Sequence, residues 1–236
     1  MKKVAQVLLV LFAISACSSS SKHPTVVHHT EPNLMINTDW IEDAGCPLTE
    51  YIPGHYSGLC SSESPLLELG CERIGVNHLL GGLPYPVVTC ENYGLEPIGT
   101  DFTVVGCYLS YRTEAFLTFR DGAYQFIGKE EIKAMSVPIE SPDEALSYVL
   151  ASTNYYAMYG IEIDFYYDRF YFVNEIEDTF VEETKNGYLI HLFSDLEPQC
   201  GCEDHYTDAV EVLVDRDGNI KLVKSRHFYK FYACAD

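Results

Sequence analysis

The stretch Ser141-Pro142-Asp143-Glu144-Ala145-Leu146-Ser147-Tyr148-Val149-Leu150 decides the fold reading, because it opens the most strongly marked helix in the chain. Serine caps, proline suits the first helical position, and two acids sit where the helix dipole favours them. Glu144 stands three residues after Ser141 and completes a capping box. Ala145, Leu146, Val149 and Leu150 keep helical spacing, which predicts a helix running towards Tyr156 and stopping at Gly160.

Around this helix the pattern reads as strands. Residues 170–174, 180–184, 188–193, 209–214 and 220–228 follow it, with Asn186-Gly187 and Asp217-Gly218 as hairpin turns. Residues 102–110, 114–119 and 123–127 precede it, the last two joined at Asp121-Gly122, and a short helix is expected at 129–135. Residues 40–100 are crowded with turns such as Cys46-Pro47, Pro53-Gly54, Gly81-Gly82 and Pro84-Tyr85-Pro86. They read as a loop-rich region with no core of its own, ordered by disulfides. The expected fold class is therefore α+β: an antiparallel sheet with one main helix, docked against a disulfide-rich, loop-rich N-terminal region. A helix followed by an antiparallel meander, over about residues 141–230, resembles the PepSY and cystatin-like layouts. That resemblance implies an inhibitor of a secreted enzyme, and no residue role is carried over from it.

The chain opens with Lys2 and Lys3, continues with an apolar stretch from Val4 to Ile14, and reaches Ile14-Ser15-Ala16-Cys17 before a run of serines. These are the proportions of a secretory signal, too short to remain as a membrane-spanning helix. The four residues ending in Cys17 resemble the lipobox of bacterial lipoprotein precursors. The resemblance implies cleavage before Cys17, acylation of its sulfur and amine (palmitate among the chains), and a lipid-held protein. Ser18 stands where an aspartate retains some lipoproteins at the inner membrane, so an outer-membrane address is implied for a Gram-negative source. The organisation expected is a signal peptide at 1–16, a flexible tether at 17–38, a Cys-rich loop region at 39–100 and an α+β domain at 101–236. The last two are read as one packed unit.

Nine cysteines less Cys17 leave Cys46, Cys60, Cys71, Cys90, Cys107, Cys200, Cys202 and Cys234. An even set in an exported chain reads as four disulfides, in any of 105 connectivities. Five of the eight precede residue 110 and three follow residue 199, both odd numbers. Full pairing therefore requires a bridge between the two groups, which closes a long loop and packs both regions together. Cys200, Cys202, His205 and Cys234 also suit a three-cysteine, one-histidine metal site, but zinc motifs come as two close pairs, and export favours disulfides. No metal and no cofactor is assigned.

The whole chain carries 15 basic and 35 acidic residues. The leader holds two lysines and no acid, so the remainder carries 13 against 35, a formal −22. Such a body is repelled by nucleic acid and by anionic lipid, and its complements are cations or a basic protein. The densest aromatic stretch runs from Tyr155 to Phe172. Tyr155, Tyr156, Tyr159, Tyr166, Tyr167 and Tyr171 are the candidate contact residues, since a tyrosine ring is amphipathic and alternation cannot bury all of them. The chain lacks a Gly-x-Ser-x-Gly elbow, a His-Glu-x-x-His pair, a phosphate loop and a dinucleotide fingerprint. Asp215 to Asn219 fails as a calcium loop, because the first and last ligand positions fall on Leu213 and Lys224. No catalytic residue is assigned. The expected function is a non-enzymatic envelope lipoprotein that binds a protein partner through an acidic, tyrosine-rich surface. The alternatives are an envelope hydrolase with a carboxylate pair, or the inhibitor named above.

Overall fold

The computed structural model describes residues 24–34, 36–94, 97–99, 101–107, 111–163, 169–195 and 200–235. In chain order the elements begin with β1 (Thr25–Val27), α1 (Asp39–Asp43), β2 (Thr49–Ile52), β3 (His55–Leu59), α2 (Pro65–Glu68) and β4 (Arg73–Asn77). A 3-10 turn (His78–Gly82) leads to β5 (Val87–Asn92), β6 (Phe102–Val105), β7 (Arg112–Arg120), β8 (Ala123–Ile127), α3 (Lys129–Ser136) and α4 (Pro142–Ser152). The chain ends with β9 (Phe170–Tyr171), β10 (Glu175–Glu177), β11 (Phe180–Thr184), β12 (Gly187–Asp195), β13 (Gly201–Asp215) and β14 (Ile220–Ala235).

The α+β expectation is overturned. Strands make up 47% and helices 17%, the helices among the described residues are four and short, and the sheets include a curled half-barrel. The error lies in residues 40–100. Their turn residues punctuate strands, and β2 to β5 join β7, β6 and β8 in a seven-stranded sheet. The strands escaped notice because they are short, and β5 is sealed too thoroughly to alternate: Val87, Val88 and Cys90 are all buried. This region also has a core of its own, with Trp40, Ile41, Leu66, Ile74, Val76, Val88 and Leu117 packed together. The Trp40 indole stacks on Phe119 at 5.8 Å and donates its N–H to the Asn37 carbonyl at 2.9 Å.

A second sheet holds five strands in the order β11-β12-β13-β14-β9, and β1 pairs in parallel with β10. Helix α4 sits between this sheet and the 3-10 turn, which leaves all of Ala145 to Ala151 buried. Each large apolar side chain sealed there contributes about 1.5–3 kcal/mol. Gly82 permits the close approach, because a Cβ at that position would stand 2.4 Å from the Asp143 carbonyl oxygen. The helix begins as its sequence predicts: the Glu144 N–H donates to Ser141 Oγ at 3.2 Å, and the Ser141 N–H donates to Glu144 Oε2 at 3.1 Å. We expect Ser141→Ala to lower stability by about 1 kcal/mol in urea denaturation. An unchanged midpoint would show the cap to be redundant with burial.

The helix stops at Ser152, well before Gly160. Thr153 turns its hydroxyl back onto the Val149 carbonyl at 2.8 Å, and Tyr156 exchanges two backbone hydrogen bonds of 2.9 Å with Phe193. Pairing with a sheet edge outcompetes another helical turn. Elsewhere the turn chemistry holds: Asp121 and Gly122 both take positive φ in the β7–β8 hairpin, as a two-residue loop requires.

Four disulfides form, Cys46–Cys60, Cys71–Cys90, Cys107–Cys200 and Cys202–Cys234. Cys107–Cys200 is the bridge between the early and late groups that parity demands. Such a set belongs to an oxidising, extracytoplasmic compartment. Among the described residues, no helix is long and apolar enough to cross a membrane. Part of the segment read as a tether is built into the fold, since it contributes β1 and the buried Leu34.

Candidate functional site

Strand length against helix length leaves an apolar surface open. Helix α4 has 11 residues and is about 16 Å long, whereas β13 has 15 residues and spans about 50 Å. The helix therefore covers only one end of its sheet face, the end with Tyr188, Ile190, Leu192, Val210, Val212 and Val214. Alternation carries the same face onward through Asp208, Tyr206 and Asp204 of β13. Across the ladder from these stand His227, Lys230 and Tyr232 of β14, with Phe170 of the edge strand β9 opposite Lys230.

On this uncovered half, Phe170, Phe172 and Tyr232 are 57%, 43% and 65% exposed, well beyond what a solvated sheet needs. Their neighbours form a platform. Phe172 and Tyr206 lie 6.2 Å apart and nearly parallel, and Phe172 stands 5.5 Å from His227 and edge-on to Phe170 at 5.0 Å. Lys230 Nζ lies 5.8 Å over the Tyr206 ring and donates to Asp204, a bond that raises the lysine's proton affinity. The buried Asp208 accepts Ser225 Oγ at 2.6 Å and pairs with His227 Nδ1 at 2.7 Å. The polar groups on the platform are thus bonded among themselves, and the rings are what it presents.

The opposite face of the same strands is covered. Phe193, Ala209, Phe228 and Tyr229 pack with Ile161 and Ile176, and His205 stacks on Phe231 while its Nε2 lies 3.0 Å from the Ala233 carbonyl. Cys200, Cys202 and Cys234 are all bonded in disulfides, so the cysteine–histidine metal reading does not hold. Asp215 accepts from the Asn219 side chain and from the backbone N–H groups of Asn219 and Asp217, which hold its carboxyl below the ordinary range. It is a turn residue.

The tyrosines singled out from sequence are dispersed. Tyr155 packs half-buried on the main core. Tyr156 donates its hydroxyl to Asp195 at 2.8 Å, and burial, then the Asp195 charge, pushes its phenol up. Tyr159 is raised by burial and then by Glu31 and Asp178. Tyr171 turns inward against Tyr229 and Phe228. These four form no common outward surface. Tyr166, Tyr167 and Cys17 lie outside the described residues. The period of two in the strand around Tyr171 is the signal that finds the correct pair, since whatever sends Tyr171 inward sends Phe170 and Phe172 outward. Tyr206, His227 and Tyr232 carried no such local signal, because only the ladder register brings them together.

A second concavity of about 1180 Å³ lies beside Tyr155, Tyr156, Asp101, Glu114 and Asp195. Three of its lining carboxylates act as structural acceptors: Asp101 for the Lys129 N–H, Glu114 for Arg112, and Asp195 for the hydroxyls of Tyr156 and Thr207; Glu203 lines it as well. Against known proteins, no family model matches the chain, and neither a curated protein nor a solved structure matches it.

Proposed function

We propose that this is an exported, lipid-anchored binding protein, without catalytic activity of its own, whose open aromatic face docks a basic protein segment. The observation that carries the reading is the exposure of Phe170, Phe172 and Tyr232 around Tyr206 on the stretch of sheet that α4 is too short to cover. Rings of this kind are the usual anchors of protein interfaces. The charge of the chain, −20, selects the partner: arginine and lysine are drawn to it from a distance, and a guanidinium stacks on an aromatic ring. The lipobox ending at Cys17 supplies the anchor, and Cys17→Ser is expected to move the protein from the membrane to the soluble fraction.

The test uses a photo-crosslinking residue in place of Tyr232, with the same residue in place of Tyr51 on the β2–β3 hairpin as control. A basic protein should be captured at position 232, displaced by an oligo-arginine peptide, and lost when Phe170→Ser and Phe172→Ser are combined. Removing two anchors of about 2 kcal/mol each should weaken peptide binding by roughly several hundred-fold. Capture of an acidic protein, of a second copy of the chain, or of equal amounts at position 51 refutes the reading.

A further inference from the structure

The concavity beside Tyr155 and Tyr156 is walled on one side by the edge of a sheet. In the seven-stranded sheet β6 lies last, paired with β7 along one side and, among the described residues, with no strand along the other. Alternation sends Thr103 and Val105 to one face and Val104 to the other, yet all three line the concavity. The space therefore wraps around the free edge, where alternate residues turn a backbone N–H and C=O away from β7. The far wall belongs to the five-stranded sheet, with Asp195 of β12 and Glu203 of β13 beside the two tyrosines.

Other edges of these sheets are protected. β2 carries Glu50 and a register shift, β11 carries Glu182 and Glu183, and the stretch of β14 before β9 carries Lys221, Lys224 and Arg226 along an irregular ladder. Charges and bulges of this kind discourage an incoming strand. β6 has neither. Phe102-Thr103-Val104-Val105 is uncharged, favours the extended state, keeps an unbroken register with β7, and leaves Val104 53% exposed.

The charge of the cleft selects what an incoming strand carries. Asp101, Glu114, Asp195 and Glu203 line it against one basic residue, Lys129. The hydrogen bonds of the first three engage Asp101 Oδ2, Glu114 Oε1 and Asp195 Oδ1, which leaves each a second carboxylate oxygen. Glu114 stands opposite Thr103 in the ladder and shares its face, the one away from Val104. The volume, about 1180 Å³, exceeds the roughly 300–1,000 Å³ of small-molecule pockets. The geometry points to a peptide site, in which an extended segment adds as a strand to β6, its basic side chains meeting these carboxylates and its intervening apolar ones meeting Val104. Main-chain hydrogen bonds then supply affinity, and the two sides of the cleft choose alternate residues. The lining shares no residue with the aromatic platform, so this is a second site and does not rest on the first.

The test is fluorescence anisotropy of a short labelled peptide of alternating lysine and valine, titrated with the full, disulfide-bonded chain. Affinity should fall about tenfold or more when glutamate replaces the lysines, when consecutive peptide amides are methylated so that neither edge can pair, and when Val104→Arg sets a cation on β6. Glu203→Gln, at an exposed position, should weaken binding about threefold. Saturating peptide should slow amide exchange in β6 and leave α4 unchanged, and combining Phe170→Ser with Phe172→Ser should leave the affinity intact. No saturable binding, equal affinity for the methylated peptide, or unmoved exchange in β6 overturns the site. So does loss of binding in the phenylalanine pair but not in Val104→Arg, which places the peptide on the platform, and so does a dimer of the chain that the peptide dissociates.

Discussion

Replacing Cys107 and Cys200 together by serine is expected to lower stability by about 4–5 kcal/mol and the thermal midpoint by roughly 10–20 °C. The bridge spans a sequence separation of 93, against 14, 19 and 32 for the other three. The entropy removed from the unfolded chain grows with the logarithm of loop length, so the two shortest loops are each worth about 3 kcal/mol and this one nearly 5. It also fastens the segment after β6 to the start of β13, and so ties the seven-stranded sheet to the five-stranded one. Calorimetry of the double variant checks the figure. A loss below about 1 kcal/mol would mean that the unfolded chain is already compact around this link.

Asp178→Ala should cost about 3–5 kcal/mol, although no bridge or apolar contact is removed. Asp178 is fully buried, and its carboxylate serves two separate parts of the chain. Oδ2 accepts the Gly160 N–H at 3.0 Å and the His29 N–H at 3.2 Å and pairs with His28, while Oδ1 accepts the Ile161 N–H at 3.1 Å. Alanine leaves the buried Ile161 N–H and the partly buried Gly160 and His29 N–H groups without that acceptor. Asp178→Asn keeps the shape and one acceptor oxygen, so its loss should be roughly half as large. Equilibrium urea unfolding separates the two variants; equal and small losses would show that water reaches the site and replaces the carboxylate.

Neither effect could be ranked from the sequence. Asp178 is one of 35 acids, in a stretch whose acids read as solvated faces. What distinguishes it is that His28 and His29, just after β1, and a loop at residues 160–161 converge on its two oxygens, about 150 and 17 residues away. The aromatic platform was half legible. Phe170 and Phe172 belong to the densest aromatic stretch, but composition points to its tyrosines, whereas alternation about the inward Tyr171 points to the two phenylalanines. The segment from residue 24 to residue 34 reads as a polar tether because its buried contacts are few and its partners distant.

By itself the sequence determined features that depend on neighbouring residues or on counting. The capped start of α4, the Asp121-Gly122 hairpin and the need for one long-range disulfide all follow from backbone preferences or from parity. The tertiary structure decided the rest: the mostly-β class, the cysteine partners, the end of α4 at Ser152, and which rings meet solvent. The physical reason is that burial and ladder hydrogen bonds are non-local. A short strand such as β5 is stable only between β4 and β7, and the platform is open only because an 11-residue helix lies on a 15-residue strand.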